Sequence, residues 1–408
     1  MYNDLAQILV QHPPIKHISI SNPPDMQFFP FCDSLKTSEI TGLTFKNMKL
    51  SQDQFSILQE SLINIPFRSL SFQNVFTPKI YKFFYTDFLT GYITSRLTML
   101  NLDHNKNIEI DKILKDLPVI CSLSFASCSL DISETLDTIG RAGLNTLTLL
   151  NLSGNYAQNF FSNSTQCPSE LTRLDLNDVT WSSGVLPSFF KYITTKTFTK
   201  GLKLFVERVS FDFIEDSENE EPIKNEQDDV VIDIPIENED ADDENEGDEQ
   251  NQKEEVQPKK TSKKIEANGD WPSVDDVFQS ATTFPIVELG WSGNPITQAF
   301  IDFLVKNERL TTLFLSETFS PEANSFDLFV SSINKLTKLT NLVMKGSNDF
   351  ELGSSISSLL TVLQEHPSLT LLDISNQNIG NEGITAVTNL IQSNDILQII
   401  NFDGSNVT

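Results

Sequence analysis

The chain has 408 residues, with 56 acidic against 29 basic side chains and a formal charge of −27, so it can bury a large core and is no mini-protein. That charge repels polyanions: nucleic acid and anionic membrane are not expected partners, whereas a protein is. Four scattered cysteines (Cys32, Cys121, Cys128, Cys167) form no C-x-x-C pair, which argues against a disulfide framework or a zinc ribbon and for a reduced compartment, the cytoplasm.

In chain order, residues 1–14 come first, with Leu5, Ile8 and Leu9 at helical spacing and no basic flank. They predict a capping helix rather than a secretory leader. Nowhere does a run of about 18 apolar residues suggest a membrane span.

From residue 15 to 214 one pattern recurs: an apolar residue, two free positions, an apolar, one free, an apolar. It is plainest in Leu147-Leu150-Leu152 with Asn155, in Leu171-Leu174-Leu176 with Val179, and later in Leu369-Leu372-Ile374. With the middle apolar residue as marker, the copies fall at Ile18, Leu43, Leu70, Leu100, Leu123, Leu150, Leu174, Leu204, Val287, Leu313, Leu342, Leu372 and Ile400. Leu202 is an alternative marker for the eighth. Spacings run from 23 to 30 residues, with one of 83 between Leu204 and Val287. Such a period identifies a leucine-rich repeat. The period-two centre of each copy is a short strand whose inward side chains are buried only by stacking on the next repeat. Apolar residues at helical spacing follow, as in Ile132, Leu136 and Ile139, or Ile384, Val387, Leu390 and Ile391. The expected fold is therefore an α/β solenoid of about 13 repeats: a curved horseshoe with parallel strands on the concave face and helices on the convex face. Phe45, Phe72, Phe125 and Phe402 are expected in its core.

Composition changes abruptly over 215–270. Within Glu215–Glu255 stand 20 acids and two lysines, too little apolar content to offset ordering entropy, so a disordered insertion is expected. It lies after a strand and before its helix, because Val274, Val277 and Phe278 resume helical spacing and carry the repeats on through 271–408. Two domains are not required. Ser217 sits in a context that acidophilic kinases favour, and Lys259, Lys260, Lys263 and Lys264 form a short basic run compatible with nuclear import. Beyond Ile400 no capping element is evident, so the expectation is either that the chain is a fragment of a longer protein or that its open edge pairs with another copy as a homo-oligomer.

Catalysis would need convergent titratable groups. His12, His17, His104 and His366 are isolated, and no nucleophile elbow, H-E-x-x-H or phosphate loop occurs. No enzyme activity, cofactor or metal site is expected. Cys128 stands where such repeats place Asn or Cys to bond the turn backbone, a structural role. Function is better sought on the concave face. The free position after each marker reads Ser19, Thr44, Ser71, Asn101, Ser124, Asn151, Asp175, Phe205, Glu288, Phe314, Val343, Asp373 and Asn401. In this small, polar column the run Phe205, Glu288, Phe314, Val343, with Trp291 close by, is a candidate partner-binding patch.

A 27–29-residue repeat with a true helix resembles the ribonuclease-inhibitor-like class. Leu369–Ser405 looks like late repeats of the CARMIL family, cytoskeletal proteins that regulate actin capping protein, through Ile379 to Gly383, Asn394 and Phe402-Asp403-Gly404. That resemblance implies the fold and a cytoskeletal scaffold. The 408 residues are not expected to include that family's membrane-binding, dimerisation and capping-protein-interaction segments, so the resemblance is not taken to imply capping-protein regulation. The expected function is a non-catalytic protein-binding scaffold. A small-GTPase regulator resembling Ran GTPase activators, or an acidic nuclear chaperone for basic proteins, are the alternatives.

Overall fold

The computed structural model describes residues 15–21, 28–63, 65–115, 117–212, 269–282, 284–319 and 324–405. The expected capping helix, the acidic stretch with Ser217 and the Lys259–Lys264 run lie outside them. No helix among the described residues is long and apolar enough to cross a membrane.

Each expected marker residue lies within a short strand, and these strands pair side by side in parallel. Among the described residues the sheet has 13 strands in the order β1 (His17–Ser21), β2 (Gly42–Lys46), β3 (Ser69–Gln73), β4 (Met99–Asn101), β5 (Ser122–Ser124), β6 (Leu149–Asn151), β8 (Arg173–Asp175), β10 (Leu202–Phe205), β12 (Ile286–Gly290), β13 (Thr312–Phe314), β14 (Asn341–Val343), β15 (Leu371–Asp373) and β16 (Ile399–Asn401). Strands β7 (Tyr156–Ala157), β9 (Thr180–Trp181) and β11 (Ser210–Phe211) form a second, three-stranded parallel sheet just after the turns.

Register aligns the markers: Leu100 pairs with Leu123, Leu150 with Leu174, Leu174 with Leu204. Leu204, not Leu202, is thereby the eighth marker. The ninth differs from expectation, because Leu204 pairs with Leu289 and Leu289 with Leu313, after a bulge beside Leu202/Lys203. Leu289 is the marker and Val287 is not. Strand pairing continues directly from β10 to β12 across the insertion, and the repeats on both sides belong to one compact unit.

Buried residues fill the space between the sheet and the helices behind it. In helix Ile132–Arg141, Asp131 caps the N-terminus by accepting from the Glu134 N–H, and Ile132, Leu136 and Ile139 face the core. In helix Gly380–Ser393, Val387 and Leu390 are buried, but Ile391 is 57% exposed. Phe45 and Phe72 stack at 5.7 Å between ring centroids, and both, like Phe125, are fully buried.

Two further columns hold the turns. The residue four past the marker has a positive φ in most repeats, at Asn47, Asn74, Gly154, Asp178, Gly293 and Asn376 among others, which selects Asn, Asp and Gly. One position on, a buried amide joins adjacent repeats. Asn155 donates from Nδ2 to the Phe125 and Leu152 carbonyls, both at 2.8 Å, and accepts from the Cys128 and Leu130 N–H groups at 2.9 and 3.1 Å. Asn105, Asn294 and Gln377 act alike. Cys128 occupies the same column, its thiol reaching the Leu102 carbonyl at 3.2 Å. Burial pushes that thiol up to about 12, which leaves almost no thiolate for chemistry.

Candidate protein-binding surface

Residues one before and one after each marker point away from the core, so the open face of the sheet is made of two side-chain columns. From β1 to β6 the second column is Ser19, Thr44, Ser71, Asn101, Ser124 and Asn151, small polar groups of which the last two meet: Asn151 Nδ2 donates to Ser124 Oγ at 3.0 Å, and Ser124 Oγ to Asp103 Oδ1 at 2.6 Å. At β8 the character changes.

There the second column reads Asp175, Phe205, Gly290, Phe314, Val343. Gly290 leaves a gap into which Phe205 leans. A Cβ at Gly290 would lie 2.4 Å from Phe205 Cδ1. Across that gap the Phe205 ring meets Phe314 at 5.6 Å between centroids, while the Arg173 guanidinium covers its other side at 4.4 Å. Phe205 is consequently 7% exposed, and the half-buried Phe314 and Val343 present the apolar surface. Leu371, also half-buried, and Ile399, 55% exposed, extend it along the first column.

Charges around this row are paired. Arg173 bonds Asp175 at 2.9 Å, Lys203 bonds Glu288 at 2.7 Å, and Lys345 meets Asp373 at 3.4 Å. Burial raises the Asp175 carboxyl above its ordinary range, with the bond from Arg173 pulling the other way. Glu207, which accepts from Ser292 Oγ at 2.9 Å, is likewise raised by burial. Each pair joins a half-exposed cation to a largely buried carboxylate, and its consequence is local neutrality.

Of the five residues expected in the patch, the structure brings together Phe205, Phe314 and Val343. Glu288 is on the open face but one column away, opposite Lys203 and Thr312, because the marker of its repeat is Leu289. Trp291 is not on this face. At 1% exposed it lies in the core, stacked on Phe300 at 4.6 Å with its Nε1 donating to the Pro295 carbonyl at 2.9 Å. Arg173 and Gly290 were not expected. Their signal is a glycine inside a strand beside an aromatic residue in the neighbouring repeat.

No family model matches the sequence, and no curated protein does. Among solved structures the chain is similar to an internalin from Listeria monocytogenes, with 13% identity, a TM-score of 0.40, and 100% of this chain and 89% of that one covered. It is also similar to the structure of Rad7 and Elc1 in yeast, with 15% identity, a TM-score of 0.43, and 92% and 83% covered. The class rests on this chain's own register and turn columns: it is an α/β leucine-rich repeat solenoid.

Proposed function

We propose that this chain is a non-catalytic protein-binding scaffold whose partner seats on the open face between β10 and β16, anchored at Phe314 and Val343 beside the braced Phe205. One observation carries this reading: a half-buried apolar row flanked by ion-paired side chains, continuing a second column that from β1 to β6 is small and polar, whereas Met99 and Leu149 are apolar positions of the first column, on β4 and β6. Packing Phe205 over Gly290 gives the row a preorganised flank, which lowers the ordering cost of binding. Quantitative pull-down with the wild type and with Phe314→Asp/Val343→Asp tests it. Partners lost only from the double variant support the surface, and an unchanged set overturns it.

The finer reading, a cytoplasmic actin-cytoskeleton scaffold, is supported by the similarity of Leu369–Ser405 to CARMIL repeats, and enrichment of actin-associated proteins in the same pull-down is its expected result. Stimulated GTP hydrolysis by a small GTPase, or histone binding retained by the isolated acidic stretch, would replace it with one of the alternatives.

A further inference from the structure

The insertion divides a repeat internally. The strand of that repeat, β10, precedes residue 213, whereas its helix, Trp271–Ser280, follows residue 268. The two stretches, 15–212 and 269–405, meet through the full depth of the solenoid. On the sheet, the N–H groups of Leu202, Val206 and Arg208 donate to the carbonyls of Pro285, Gly290 and Ser292 at 2.8, 2.9 and 2.8 Å. In the turn, Asn294, fully buried, donates to the Val206 carbonyl at 2.5 Å and accepts from the Val209 N–H at 2.9 Å.

In the core, the Phe190 ring meets Phe278 at 5.0 Å and Trp291 at 5.7 Å. At the helix side, Asp270 accepts from Ser183 Oγ at 3.1 Å and from the Gly184 N–H, and Phe211 meets Trp271 edge-on at 5.4 Å. Apart, the first stretch would expose Phe190, Leu204 and Val206 and the second Trp271, Phe278 and Leu289, each at most 8% exposed when joined. Solenoid stability is the sum of such neighbour interfaces, and nothing in this one needs a covalent link.

We infer that the stretches 15–212 and 269–405 bind each other as specific partners, so that a chain cut between residues 213 and 268 stays one solenoid. The proposed partner surface depends on that seam, since Phe205 from the first stretch leans over Gly290 of the second. A cut there leaves the surface assembled. This inference stands whether or not the surface binds a protein.

The test uses the full chain with a site-specific protease sequence in place of residues 245–251, cut to completion and run on native size exclusion. Both fragments should co-elute at the uncut volume down to about 1 μM, which places their Kd below that value. Separate elution or aggregation of the fragments overturns the inference. In the same format Phe190→Ala, which removes ring contacts across the seam, should raise the fragment Kd at least about tenfold. An unchanged Kd would show that the fragments are held elsewhere and would overturn the seam assignment.

Discussion

The candidate surface turns on a missing methyl group, and Gly290→Ala restores it. The new Cβ would stand 2.4 Å from Phe205 Cδ1 and 2.8 Å from Glu207 Oε1, where carbon atoms ordinarily approach to about 3.5 Å. Glu207 can yield, since its carboxylate ends a flexible chain. The Phe205 ring cannot yield without retreating about 1 Å or more from the gap. Retreat weakens its contact with Phe314 at 5.6 Å and with Arg173 at 4.4 Å. The aromatic pair is worth about 0.5–1.5 kcal/mol and the cation–π contact about 0.5–1 kcal/mol, so a loss of about 1–2.5 kcal/mol is expected. Denaturant unfolding measures it, and a double-mutant cycle isolates it: in a Phe205→Ala background, Gly290→Ala should cost under about 0.5 kcal/mol. Equal costs in the two backgrounds would refute the bracing role of the glycine.

His366 is 1% exposed and accepts the N–H of Leu369 at 3.1 Å on Nδ1, which assigns its proton to Nε2; burial holds its pKa below the ordinary value of 6.5. The unfolded chain therefore protonates first, and stability that is full above pH 6.5 declines as pH falls below it. Asn394 makes the same bonds to its turn at 2.8 and 2.9 Å, so His366→Asn should flatten the difference in unfolding free energy between pH 7 and pH 5; a difference equal to wild type counts against this. Asn155→Leu strips five side-chain bonds from backbone groups, three of them buried, and should cost about 3 kcal/mol or more, and a denaturation midpoint close to wild type would contradict the ladder. The Cys32 and Cys128 thiols, both pushed up to about 12 by burial, should resist maleimide at pH 7.5 in the folded protein while reacting at once in denaturant. Mass spectrometry of native samples showing rapid labelling of either would be inconsistent with their burial.

Most of the fold was legible because it is periodic. Leu150, Leu174 and Leu372 recur in one phase and are fully buried, and a single phase error would have exposed them all. Around the ninth repeat the phase is ambiguous: in Ile286 to Trp291 several apolar residues fit the marker, and the insertion removes the spacing that would choose among them. Hydrogen bonding with β10 decides it. That two-residue shift also explains Trp291. Counted from Leu289 it falls two past the marker, the inward position of Leu152, Leu176 and Val206, all fully buried. Cys128 was legible from its place in the amide column, whereas His366 carried no signal in the sequence, and only its bond to the Leu369 N–H shows that it stands in the place of Asn394. Arg208 and Glu317, at φ 52° and 56°, occupy left-handed positions that their residue types do not announce.

Salt separates the two places where a partner could be held. The 20 acids and two lysines of Glu215–Glu255 carry most of the formal charge of −27, whereas the charges flanking Phe314 and Val343 are matched: Arg173 with Asp175, Lys203 with Glu288, Lys345 with Asp373. A partner held by the acidic stretch is basic, and its attraction is screened as the Debye length shrinks from about 10 Å at 0.1 M to about 3 Å at 1 M. A partner held on the open face gains from apolar burial, which such salt does not weaken. Binding to the full chain should therefore change little, within about threefold, between 0.05 and 0.5 M NaCl, because burial rather than charge drives it. Affinity that falls by orders of magnitude over that range, and is insensitive to Phe314→Asp, would move the site from the sheet to the acidic stretch.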